Sequence, residues 1–354
     1  MLLEMIGDPP VESLLSQCFA PVVNAIQLFS YNGMESPVRT KLFNPAGNQI
    51  PSSVKEESLI QAVESSGYPL QGMIASKLRE SAFSVTEEWG FSDRDTNGPR
   101  TLDLAAYRPL KLENVAPGLL LLIECKKSIH PYVFFRTLGH QDVSWFPRIA
   151  GLIHGGITML HELDGMVAVQ RLVPGSQAFG LCKLPFVEAG PDICAVFSRA
   201  EVNGKKVELS GSEPFNSVIM PLANACDHAM RVFGHPARSD VVYADLIICV
   251  AVLDAPMLLV GSPEEGSDPI LTPWVRIIRQ EPNLDQFAEE RIKHYAVDVV
   301  HVDFFDTFIK THVLPFAREF GSRAIQLGAG PILNGGRVPD IERWEWTEIT
   351  EYKR

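Results

Sequence analysis

The chain has 354 residues and a formal net charge of −12; 46% of it is hydrophobic and 21% charged. This balance excludes a largely disordered chain and fits a globular one with a sizeable core. The acidity excludes a protein whose whole surface grips nucleic acid, but not one with a locally basic groove. The six cysteines, Cys18, Cys125, Cys182, Cys194, Cys226 and Cys249, include no Cys-x-x-Cys pair. Reduced, buried thiols in a cytoplasmic protein are therefore expected, not zinc sites or a disulfide scaffold. No secretory signal is expected, because residues 1–19 carry Glu4 and Asp8 but no base. The longest apolar stretch, 246–260, is interrupted by Asp254 and Pro256, so no membrane span is expected either.

In chain order, residues 1–50 have weak periodicity and turn signals such as Asp8-Pro9-Pro10 and Asn44-Pro45-Ala46-Gly47, which predicts a peripheral segment with a helix over 14–29. Ser52-Ser53 followed by Glu56-Glu57 reads as a helix start, with Leu59, Ile60 and Val63 as its apolar stripe. A second helix is expected over 70–81, where Met73, Ile74 and Leu78 recur at helical spacing. Three strands follow at 83–87, 100–107 and 118–126. The last has five apolar residues in a row before Glu124, the pattern of a strand covered on both faces. Residues 128–212 are less regular and read as an insertion. A helix over 213–233, an apolar hairpin of 241–253 with 257–261 turning at Asp254-Ala255-Pro256, and strands at 274–279 and 295–302 come next. The final helix, 304–320, has Asp303 as its expected cap and Gly321 as its stop, and Gly328-Ala329-Gly330-Pro331 reads as a loop. The expected organisation is a peripheral segment 1–50, a domain 51–321 with the insertion at about 128–212, and a tail 322–354.

One group of residues carries chemistry. Asp103 sits in the middle of an apolar strand, where a carboxylate costs several kcal/mol unless paired or bound to metal. Glu124 and Lys126 are two apart on the next strand and so share a face. If the two strands pair antiparallel, Asp103 faces Glu124, and one site holds two carboxylates and an ammonium. Hard oxygen ligands of this kind suit Mg²⁺, with the backbone carbonyl of Cys125 as a further ligand and its thiol on the opposite, core face. Lys126 would orient water or neutralise charge in phosphodiester hydrolysis. The bland alternative is a strand end at which Asp103 pairs with Lys126. His154 and His161, seven apart, could share a helix face but lack a third ligand. His301, Asp303, Asp306 and His312 read as a strand end, a cap and a solvated helix face. Between residues 126 and 148, Lys126, Lys127, Arg136 and Arg148 stand against Asp142 alone. Phe134, Phe135 and Trp145 lie among them, more as packing than as base-stacking residues.

Residues 67–135 resemble the restriction-endonuclease-like PD-(D/E)XK nuclease superfamily. The matching text is Gly67-Tyr68-Pro69-Leu70-Gln71, the strand opening at Phe83 and ending in Glu87-Glu88, Arg100-Thr101-Leu102-Asp103-Leu104-Ala105, and Ile123-Glu124-Cys125-Lys126-Lys127-Ser128. The resemblance implies an α/β fold with an αβββαβ core, a mixed central sheet, helices on both faces and an insertion after the third core strand. It implies that Asp103 and Glu124 bind metal, that Lys126 is catalytic, and that the cofactor is Mg²⁺ with Mn²⁺ able to substitute. The expected activity is that of an endonuclease acting on DNA ahead of RNA and leaving 5′-phosphate ends, in a prokaryotic defence or restriction setting. Lys127, Arg136 and Arg148 are the expected nucleic-acid contacts. Many relatives carry a Glu on the first helix where Gln71 stands here, and Glu88 is the candidate third carboxylate. The alternative is a silent or partner-activated nuclease-fold module, working as a homodimer or with a partner subunit.

Overall fold

The computed structural model describes residues 44–333, apart from 95, 97, 112, 138–142, 144, 153–154, 164–165, 234–240, 262–267 and 283–291; residues 158–172, 282, 292, 331 and 333 are described by backbone alone. The helix expected over 14–29 lies outside these residues. The chain divides into two compact units, 1–59 and 60–354. In the described part of the first, Asn48 N–H closes a turn on the Pro45 carbonyl (2.9 Å). Helix α1, Glu56–Ser65, buries none of its residues, and Leu59, Ile60 and Val63 are 43%, 50% and 53% exposed. The stripe expected to be a core face is therefore uncovered among the described residues: periodicity tells which face a helix can bury, not that a partner exists to bury it.

The second unit is built on one large mixed sheet. Helix α2, Tyr68–Glu80, leads into β1 (Ser84–Ser92), β2 (Pro99–Pro109) and β3 (Val115–Lys127), an antiparallel meander. Next come β4 (Tyr132–Arg136), β5 (Arg148–Ala150), β6 (Gly156–Leu163), β7 (Met166–Pro174), β8 (Ile193–Asn203) and β9 (Lys206–Ser210). A helical run from Ser212, widened to π geometry over Phe215–Ile219, continues as α3 (Met220–Phe233). Strand β10 (Val242–Asp254) then lies parallel to β3, registered from Val242 beside Val115 to Asp254 beside Lys127. After β11 (Met257–Val260), β12 (Ile270–Leu271), β13 (Trp274–Pro282) and β14 (Ile292–His301), the chain ends its described course in α4, Leu314–Leu327, and a short helix Ala329–Leu333. The sheet order is β1-β2-β3-β10-β14-β13-β8-β4-β11-β12, with β5 on β10 and β9 on β8; β6 and β7 form a separate two-stranded sheet.

Two apolar cores sandwich this sheet. Leu70, Ile74 and Leu78 of α2 and Phe316 and Phe320 of α4 pack on one face; Leu222, Ala225 and Ala229 of α3 pack on the other. Each large side chain so buried contributes about 1.5–3 kcal/mol. With both faces covered, β3 is buried from Val115 to Cys125, which is why it reads as a continuous apolar run. Among the described residues no helix is long and apolar enough to cross a membrane.

Five local expectations are corrected. The turn at Asp254-Ala255-Pro256 does not make a hairpin: β11 pairs with β4 and β12, because β3 and β14 already occupy the edges of β10. Gly321 does not stop the last helix. It lies inside α4, where an added Cβ would stand 3.2 Å from Leu110 Cβ, and the stop is Gly328 at φ +84°. Asp303 is no cap, since Phe304 precedes the helical run Phe305–Val313 that leads into α4; the Asp303 side chain is 90% exposed and its N–H donates to His301 Nδ1. His161 lies on strand β6 rather than on a helix, and Ala329–Leu333 is helical rather than a loop. His154 lies outside the described residues.

Candidate active site

Strands β2 and β3 pair from Pro109↔Gly118 to Leu104↔Ile123 and then separate. The next residue on each strand is Asp103 and Glu124. Where the ladder ends, Cys125 N–H donates to Asp103 Oδ2 at 2.7 Å, so the carboxylate takes the place of a strand carbonyl. In extended backbone a residue's N–H and C=O point to the same edge, which sets the Cys125 carbonyl on the side of Asp103. The Cys125 thiol is buried in the core that α2 covers, on the face opposite Glu124, as strand alternation requires.

The β1–β2 hairpin bends at the same place. Its register is constant on either side, with Glu87↔Leu104 and Trp89↔Leu102, which sets Glu88 opposite Asp103. Glu88 has φ +49°, a conformation that costs a residue with a Cβ about 1–3 kcal/mol. Leu102 and Leu104 join opposite cores although residues two apart on a regular strand share a face. The reversal between them falls on Asp103. Helix α2 closes the site from the side: buried Gln71 donates through Nε2 to the Asp103 carbonyl (2.9 Å) and to Glu88 Oε1 (3.2 Å).

Glu124 is 6% exposed and accepts from Lys126 Nζ at 2.6 Å. Burial pushes its carboxyl up to about 7; the Lys126 charge opposes this and the neighbouring Asp103 adds to it. Asp103 is raised as well, first by burial, with the Cys125 N–H and Lys126 holding it down and Glu88 pushing it up. For Lys126 burial acts downward, but Glu124 and Asp103 outweigh it and hold the ammonium above its usual value. Two carboxyls that repel each other, both short of solvent, with Lys126 as the cation beside them among the described residues, have unused capacity for positive charge.

The structure thus brings Gln71, Glu88, Asp103, Glu124 and Lys126 together. It does not bring the expected nucleic-acid contacts into one groove. Lys127 pairs with Asp254 (3.3 Å) and Arg136 with Asp192 (2.8 Å). Arg148 sits on β5 beside Ile247, four positions from the neighbour of Glu124, or about 13 Å along the strand. Phe134 is buried and stacks on Phe197 (5.6 Å), a packing role. Among the described residues no group of three or more His, Cys, Asp or Glu is arranged to hold a metal ion. The donor chemistry still suits a hard divalent cation, for Mg²⁺ keeps several waters and takes one or two carboxylates; Asp103, Glu124 and the Cys125 carbonyl would hold it.

Sequence reasoning missed the polar tip between β1 and β2. Asp93 is 1% exposed there, and Arg94 bonds to Asp227, Tyr295 and Glu281. The signal was present in Asp227, an acid inside the apolar run of α3, but its partner lies 133 residues away. Compared with protein-family models, with curated proteins and with solved structures, the chain finds no match.

Proposed function

We propose that the protein is a Mg²⁺-dependent nuclease of the PD-(D/E)XK type that hydrolyses phosphodiester bonds, in DNA ahead of RNA. The observation that carries this reading is the meeting of Asp103, Glu124 and Lys126 at the point where β2 leaves β3. The order α2, β1, β2, β3, α3, β10, with the last strand parallel to β3, supports an αβββαβ core of the restriction-endonuclease-like kind. When bound, Mg²⁺ would polarise a phosphoryl oxygen and acidify water. The protein's part is then plain. Asp103 and Glu124 supply fixed negative charge, Gln71 steadies the Asp103 backbone and Glu88, and Lys126 turns from Glu124 to orient the attacking water or to meet charge on the phosphate.

Full-length protein incubated with plasmid, single-stranded DNA and RNA in Mg²⁺, with and without chelator, tests this. Cleavage in Mg²⁺ is expected, with a loss of 100-fold or more in Asp103→Ala and Lys126→Ala, the usual scale for removing one electrostatic group from a preorganised site. Equal rates in wild type and Lys126→Ala would sink the assignment.

One observation favours a second reading, a silent or partner-activated module. Gln71 turns its amide nitrogen, not an oxygen, toward Glu88 and Asp103, so the helix adds no anionic ligand. The two readings differ in metal binding. Mg²⁺ at 100 times its Kd stabilises a native binder by about 2.7 kcal/mol. A thermal shift present in wild type and absent in Asp103→Ala supports the nuclease; no shift in either supports the module.

A further inference from the structure

The hairpin that carries Glu88 and Asp103 is held by β3 along only part of its length. Pairing between β2 and β3 stops at Leu104, while β1 and β2 stay paired out to Ser92↔Pro99. From Asp103 to the tip the hairpin is an arm of about five residues, or roughly 16 Å, that leaves β3 and packs Leu102 and Phe91 on the core that α3 covers. Cys125 N–H on Asp103 secures its base. A charged cluster secures its tip.

That cluster draws on distant parts of the chain. Asp93 accepts from Asn224 Nδ2 (3.0 Å) and pairs with Arg100 Nε (2.8 Å). Thr96 closes the turn on Asp93 through its N–H and hydroxyl. Arg94 donates to Asp227 Oδ2 (2.9 Å), to the Tyr295 hydroxyl and to the Glu281 carboxylate. Asp227 also accepts from Tyr295 (3.0 Å) and Lys293 (3.1 Å). Beside them Ser92 N–H meets His228 Nδ1, and the Trp89 ring lies edge-on to His228. Asn224, Asp227 and His228 are three and four apart and so form one face of α3. Arg94 ties that face to β13 and β14.

Such a cluster is more than the arm needs for burial alone, since a short polar turn can lie in water. What the arm carries explains it. Productive geometry tolerates a turn of about 10–20°. A tip excursion of about 5 Å on a 16 Å arm is roughly 17°, enough to reach that limit at Glu88 and Asp103. We propose that Arg94 is a positioning residue: by pinning the hairpin tip to Asp227, Glu281 and Tyr295 it fixes Glu88 and Asp103 opposite Glu124 and Lys126. The functional half of this statement rests on the nuclease reading above; the geometric half does not.

The test uses full-length Arg94→Ala and Arg94→Lys, with amide hydrogen exchange as the first readout. The Cys125 amide reports directly on Asp103. In Arg94→Ala its exchange is expected to rise tenfold or more, with Leu121 and Leu122 unchanged, and Arg94→Lys is expected to recover part of the protection. Mg²⁺-dependent turnover should fall in parallel, in kcat rather than KM. If Arg94→Ala does not fold, Glu281→Gln, which weakens one tie, takes its place with a smaller effect of the same kind. Unchanged Cys125 exchange in a folded variant overturns the inference, whatever the activity. Faster exchange in a protein whose wild type never cleaves nucleic acid upholds the positioning and rejects the nuclease.

Discussion

Replacing Lys126 by Met keeps the apolar stem and removes the ammonium that lies 2.6 Å from Glu124. Glu124 is 6% exposed and has little solvent to turn to. Breaking a buried charged pair costs roughly 3–5 kcal/mol when the remaining charge must stay. Glu124 can avoid that cost by taking a proton. Burial already holds its carboxyl up to about 7, against about 4.3 in an unfolded chain. An acid raised on folding binds its proton more tightly in the native state. Its contribution to stability is therefore full below the unfolded value and is lost as pH rises through the folded one. Lys126 limits that rise, so without it the loss extends beyond pH 7. Each further pH unit is about 1.4 kcal/mol. Lys126→Met should thus be mildly destabilised at pH 6 and lose a further ~1–3 kcal/mol at pH 9. Urea unfolding of variant and wild type at both pH values, in chelator, measures this. A loss of the same size at pH 6 and pH 9 would refute the reasoning, since the ammonium would then not be what keeps Glu124 ionised.

Two predictions concern the rest of the sheet. Asp298 and Arg276 are 0% and 1% exposed, and the Asp298 carboxylate also accepts from Trp274 Nε1. Asp298→Ala leaves the guanidinium buried without its counter-charge, and denaturant unfolding should show a loss of about 3–5 kcal/mol; a loss under 1 kcal/mol would mean that water or another acid reaches Arg276. Asp245, wholly buried and bonded to the Tyr107 hydroxyl (3.1 Å), is pushed by burial up to about 7. Against about 3.9 in the unfolded chain, its contribution falls on the order of 4 kcal/mol as pH rises from 4 to 8. Asp245→Asn should flatten that part of the stability–pH curve, and identical slopes in wild type and variant would count against it.

The parts of the fold legible in the sequence were those set by local period and by strong burial. The run before Glu124 announced a strand covered on both faces, and Ile74 and Leu78 marked the buried side of α2. Glu124 and Lys126 share a face through strand geometry alone. Asp103 needed the register of two strands, which no local pattern fixes. The illegible parts depended on what else was nearby. Leu59, Ile60 and Val63 have a helical stripe that nothing described covers. Gly321 looks like a stop but serves a close approach to Leu110. Met257 and its neighbours look like half of a hairpin, but the edges of β10 were already taken. Arg94 was unreadable because its partners come from α3, β13 and β14.

The pairing of β3 with β10 also gives the site a history. Glu124 is made early, but its registered neighbour Ala251 lies 127 residues further on. At synthesis rates of about 5–20 residues per second, that is a wait of roughly 6–25 s. Through that interval β3 lacks the strand registered beside Glu124, so the edge of β3 next to that residue is open to water. The ion pair of Glu124 and Lys126 is then a surface pair, worth under about 1 kcal/mol. The chemistry of these residues ripens when β10 docks, so a ribosome-bound chain would carry the letters of the site without its electrostatics.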